Sequence, residues 1–108
     1  MKLGVLCLLA LAALTVSAQK RTFTGIITDN MCPKGDHSGM RMGPTDAECT
    51  IACVSAHGAS YVLFDGKDTY TLSDQRTPEK FAAKKVTVTG TLDSKSKIIQ
   101  VESIAETK

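Results

Sequence analysis

Residues 85–92 read KVTVTGTL, a stretch whose alternating apolar and polar side chains predict a half-buried β-strand. Val86, Val88 and Leu92 fall on one face of this strand, which we expect to point into a core. Four further segments rich in β-branched and aromatic residues also predict strands, at residues 21–29 (RTFTGIITD), 61–64, 69–72 and 98–104. With a helical turn at 78–82 and one longer helix, they predict a mainly β (α+β) domain. Its architecture is expected to be a small closed or half-closed five-stranded barrel. The residues predicted to form its core are Phe23, Ile27, Val62, Phe64, Tyr70, Leu72, Phe81, Val86, Val88, Ile99, Val101 and Ile104.

Between the first two strands the composition changes. Residues 30–44 are rich in glycine, proline, methionine and charge without any period, which predicts a long loop of the kind that is usually functional or disordered. A helix is expected next at residues 46–57. Thr45 and Glu48 have the spacing of a capping box, and Gly58 is a suitable residue to end the helix.

The first 18 residues have the pattern of an export signal. Lys2 precedes an apolar run at residues 3–14, and Val-Ser-Ala at 16–18 predicts cleavage after Ala18. The run is shorter than the ~20 apolar residues that span a bilayer, so no membrane span is expected in the mature chain. We therefore predict a secreted or periplasmic protein with one domain at residues 19–108.

Composition excludes several classes of function. The chain has 108 residues and a formal net charge of only +2, which disfavours a nucleic-acid binder because phosphate contacts need clustered lysine and arginine. No haem-attachment, thioredoxin-like or phosphate-loop motif is present, so the sequence predicts neither an organic cofactor nor a catalytic residue.

One window of the mature chain collects its sulfur and imidazole side chains. Beyond residue 18, all three cysteines, all three methionines and both histidines fall within residues 31–57. These residue types are ligands for Cu(I) and Zn(II). Cys49 and Cys53 share one face of the predicted helix, and we expect the loop to fold back onto it. The predicted ligands of a copper or zinc ion are Cys32, His37, Met40, Cys49 and Cys53.

Two other interpretations stay open. A disulfide from Cys32 to Cys49 or Cys53 would staple the loop to the helix of an envelope domain that binds a protein partner. The odd cysteine left over permits a covalent dimer of a chain that is otherwise expected to be a monomer. Alternatively, the three thiols would serve a redox protein, with Cys49 activated near the start of the helix.

The strings TFTGIITDNMC (22–32), ECTIACVSAHGASYVLFDGKDTYTL (48–72) and KKVTVTGTL (84–92) carry a resemblance that spans nearly the whole mature chain. The chain resembles a family of small secreted bacterial proteins grouped as a domain of unknown function. The resemblance implies an oligonucleotide/oligosaccharide-binding-like (OB-like) barrel in the cell envelope and no catalytic activity. The positions that match the family's motif are Asp29, Met31, Cys32, His37, Met40, Cys49 and Cys53.

Overall fold

A computed structural model describes residues 19–107, and the predicted export signal lies outside them. The strands are β1 (Lys20–Asp29), β2 (Tyr61–Phe64), β3 (Thr69–Leu72), β4 (Lys85–Asp93) and β5 (Ile98–Glu106). One α-helix, α1 (Asp46–His57), and a 3₁₀ turn (Thr77–Phe81) complete the described elements. The predicted fold class, mainly β with short helices, is confirmed.

The five strands form one closed ring in the order β1-β2-β3-β5-β4. β1 closes the ring because it changes partner along its length: Lys20–Ile26 pairs with β4 and Ile26–Asp29 pairs with β2. Gly25 lies next to this change, where the backbone of Phe64 comes so close that a Cβ atom would collide with it. A glycine at this point lets the two strands meet.

The core lies inside the ring and is apolar. Seven of the predicted core residues are confirmed: Phe23, Ile27, Tyr70, Leu72, Val86, Val88 and Ile99. For β2 the predicted inward face differs from the observed one: Tyr61 and Leu63 belong to the core cluster, whereas Val62 is buried outside that cluster. Phe64 is only half-buried. All four residues of β2 are apolar, so the alternation that identifies an inward face is missing.

Helix α1 begins and ends where its capping residues predict. The Thr45 hydroxyl accepts a hydrogen bond from the backbone N–H of Glu48 at 3.1 Å, and Gly58 adopts the left-handed conformation with φ 71°. Its buried side chains are Cys49, Thr50 and Cys53, so the helix buries thiols and a hydroxyl. Within residues 19–107 no helix is long and apolar enough to cross a membrane.

Candidate metal centre

The site is built on a tight turn at the end of β1. One carboxylate oxygen of Asp29, Oδ1, accepts hydrogen bonds from the backbone N–H groups of Met31 and Cys32, each at 3.0 Å. The next residue, Asn30, donates its backbone N–H to the Ser60 carbonyl and accepts from the Ser60 N–H through its side chain, both at 3.0 Å. These bonds fix the turn against the start of β2, and they hold Cys32 beside the Asp29 carboxylate.

The loop after Cys32 is tied to the same place. The Cys32 carbonyl accepts from the Thr28 hydroxyl at 2.8 Å and from the Gly35 N–H at 2.9 Å. This arrangement turns the chain back toward helix α1, where His37 is only 3% exposed. The Nε2 atom of His37 lies 3.5 Å from the Thr50 hydroxyl of the helix.

Asp29, Cys32 and His37 thus converge from a strand end, a turn and a loop. Each offers one possible ligand atom, and these three atoms lie within 4.8 Å of one another. Asp29 Oδ2 and His37 Nδ1 are both buried without a hydrogen-bond partner. A buried polar atom without a partner costs about 1–3 kcal/mol, and an unseen ion or water is a common explanation in native proteins.

The two helix thiols adjoin this group, and Cys49 has hydrogen-bond partners of its own. Cys49 Sγ accepts from the Met42 N–H at 3.3 Å and donates to the Met40 carbonyl at 3.4 Å. Cys53 is buried one helical turn further along α1, on the same side of the helix as Cys49. All three cysteines of the described chain are buried and free, so the predicted disulfide is not formed in this structure.

Burial and nearby negative charge favour the protonated form of the Cys53 and Cys32 thiols. Burial raises the pKa of Cys53 to about 11, helped by the Asp29 carboxylate and the neighbouring Cys49 and Cys32. The pKa of Cys32 is also raised, first by burial and then by Asp29. A bound cation would reverse this balance, because metal ligation requires the thiolate.

The five predicted ligands are distributed unevenly around the centre. Cys32 and His37 belong to the close group, whereas Cys49 and Cys53 adjoin it from the helix. Met40 is 43% exposed and contributes through its backbone: its N–H donates to the His37 carbonyl at 3.2 Å, and its carbonyl accepts from Cys49.

Sequence reasoning missed Asp29 as a candidate ligand. Carboxylates at strand ends are common, and its sequence neighbours do not reveal that this one is wholly buried. The available signal was its position three residues before Cys32, in the Asp-x-Met-Cys motif on which the resemblance depends.

Comparisons with protein-family models, curated proteins and solved structures find no match to this chain. The suggested family membership therefore stays a prediction. What the structure does define is a small β-ring domain with a buried Asp/Cys/His group of metal-binding dimensions.

Proposed function

We propose that this protein is a small extracytoplasmic metal-binding protein that holds one transition metal ion at Asp29, Cys32 and His37. The observation that carries the proposal is the pair of buried, unpartnered ligand atoms in that group, Asp29 Oδ2 and His37 Nδ1. A cation between them would satisfy both atoms and remove the cost of burying them unpaired.

The rigid surroundings of the group support this function. Hydrogen bonds to Oδ1 fix the orientation of the Asp29 carboxylate, and Oδ2 remains available to bind a metal ion. The hydroxyl of Thr50 faces Nε2 of His37 in a similar way and leaves Nδ1 free. Groups that orient a ligand through its other atom are typical of metal centres in proteins.

The chemistry of the three ligands favours Zn(II) over Cu(I). Zinc is bound by thiolate, imidazole and carboxylate together, whereas Cu(I) selects soft sulfur ligands. Two features favour the copper alternative: the Cys49 and Cys53 thiols beside the group, and the exposed thioether of Met40. Uptake or delivery of the ion is the use we propose for a small binding domain of this kind.

The test is metal binding by the mature protein, residues 19–108, purified under reducing conditions. Native mass spectrometry after incubation with Zn(II) or Cu(I) should show about one ion per chain. In a chelator competition, the protein's affinity for Zn(II) should exceed its affinity for divalent ions that prefer oxygen ligands to sulfur ligands. Replacement of His37→Ala should abolish tight binding. The matched control is His57→Ala, because His57 is exposed in the last turn of α1.

Two results would contradict the proposal. One is the absence of metal from a folded protein whose three thiols all react with an alkylating reagent after unfolding. The other is a native chain that has lost two hydrogen atoms, keeps one free thiol and takes up no metal. This second result would favour the disulfide-stapled interaction domain.

A further inference from the structure

A small cavity lies beside the candidate metal centre and shares His37 with it. Its volume is about 140 Å³, and most of its wall is apolar, formed by residues of β1 together with Phe64 and Ala83. Ile26 and Phe64 also line a larger open groove of about 430 Å³, so the two spaces are neighbours. The cavity therefore lies between the deeply buried His37 and the groove on the outer surface of the ring.

The charge at the rim of the cavity is positive in effect. Lys34 and Asp46 both line it, but the Asp46 carboxylate is 3.0 Å from the Arg41 guanidinium and is thereby neutralised. Lys34 forms no ion pair with any other residue in the described range 19–107. The unpaired ammonium group of Lys34 at the rim therefore attracts small anions and repels small cations.

The metal group also leaves room for a ligand from outside the chain. Only Asp29, Cys32 and His37 converge within 4.8 Å among the residues that the structure describes, and zinc is commonly four-coordinate. Neither helix thiol belongs to this close group, and Cys49 is already engaged with the backbone of Met40 and Met42. Three protein ligands and one open position are the arrangement of zinc sites that exchange a small ligand.

We infer that the cavity beside His37 admits a small exogenous anion, which takes the open position of the metal. This inference rests on the proposed function and adds to it. A purely structural metal site has all of its coordination positions filled by protein groups, whereas this site would exchange a small ligand. Ile26 stands at the opening between groove and cavity, and Lys34 provides the attraction at the rim.

The experiment uses the protein loaded with Co(II), whose visible absorption bands report on its ligands, and azide as the probe. Azide should shift these bands in a saturable way. Lys34→Glu should raise the azide dissociation constant by about threefold to tenfold, since reversal of an exposed charge changes a modest electrostatic attraction. Lys67→Glu, in the exposed β2–β3 turn, is the matched control and should leave it unchanged.

A second variant tests the route. Ile26 is 40% exposed, so Ile26→Trp can cover the opening without entering the core, and it should slow or prevent the azide-induced shift. Its Co(II) spectrum without azide should match that of the unaltered protein.

This experiment distinguishes failure of the proposed metal site from failure of the proposed anion position. Tight Co(II) binding with bands that azide does not move would overturn the open position and leave the metal site standing, closed by Cys49 or Cys53. An azide shift that Lys34→Glu and Ile26→Trp both leave untouched would overturn the cavity as its route. No Co(II) or Zn(II) binding at all would overturn both proposals.

Discussion

Residues 28–57, the site segment, and residues 58–107, the sheet segment, bury different kinds of side chain. The four buried polar or charged residues of the described chain all lie in the site segment: Thr28, Asp29, His37 and Thr50. The sheet segment supplies four of the five strands and most of the apolar core. Its one buried polar atom without a partner is the Tyr61 hydroxyl. Apolar burial drives folding, whereas buried unpaired polar atoms oppose it, so stability and binding are largely assigned to different parts of the chain.

The largest effect on stability is expected from damage to the core, to which β1 contributes Ile27 just before the site segment. Ile27→Ala should lower the free energy of unfolding by about 2–5 kcal/mol, because Ile27 is fully buried and its loss leaves a cavity. Urea unfolding with a chelator present measures the change. The neighbouring Ile26 faces outward, and Ile26→Ala should cost less than about 1 kcal/mol. Equal costs for the two variants would contradict the observed register of β1.

Metal binding should stabilise the folded protein through contacts with the site segment alone. Free zinc at about a hundred times its Kd should raise the free energy of unfolding by ~2.7 kcal/mol, since it binds only the folded chain. Asp29→Asn keeps an oxygen for the N–H groups of Met31 and Cys32 but removes the charge. We expect this variant to fold and to lose zinc affinity by at least about tenfold, measured by chelator competition. Undiminished affinity would remove Asp29 from the ligands.

Asp74 in the sheet segment and Cys53 in the site segment should make stability depend on pH at opposite ends of the scale. Hydrogen bonds from Thr77 and Arg76 lower the pKa of Asp74 in the sheet segment below its usual 3.8. Its contribution to stability is present above that pH and is lost as pH falls through the lowered value. Burial raises the pKa of Cys53 from 9.0 to about 11, so its contribution is present below pH 9 and is lost as pH rises toward 11.

Urea unfolding of the metal-free protein across pH measures both effects. Cys53→Ala should reduce the loss of stability at alkaline pH, to which Cys32, Tyr61 and Tyr70 also contribute because their pKa values are raised as well. It should leave the loss at acid pH unchanged, whereas Asp74→Asn should reduce only the loss at acid pH. An alkaline loss as large in Cys53→Ala as in the unaltered protein would contradict the contribution of Cys53.

The smallest expected effect concerns the start of α1. Thr45→Ala removes the hydroxyl that accepts from Glu48 and should cost about 1 kcal/mol of stability. Because α1 carries Thr50 against His37, zinc affinity should fall slightly as well. Thr45→Ser keeps the hydroxyl and is the control. A loss of stability shared by Thr45→Ser would show that the cap is not the cause.

Much of the fold could be predicted because its signals are local. The capping residues Thr45 and Gly58 set the limits of α1 at the predicted residues, and the alternation in β4 identified its inward face. The inward face of β2 could not be predicted, because a run of four apolar residues fits either face until it pairs with β1. The candidate ligands Cys32 and His37 were identifiable by residue type alone. The contribution of Asp29 was not, because burial of a carboxylate depends on what covers it.

By itself, the sequence determined which segments become strands and helix, since periodicity and caps act over a few residues. It also confined every cysteine, histidine and methionine beyond residue 18 to residues 31–57. Only the tertiary structure decided which members of that stretch meet. The pairing of β1 with β2 fixes the turn after Asp29, and the loop then returns to the helix, which brings His37 to the same point. Such convergence depends on contacts between distant residues, and no local pattern in the sequence records it.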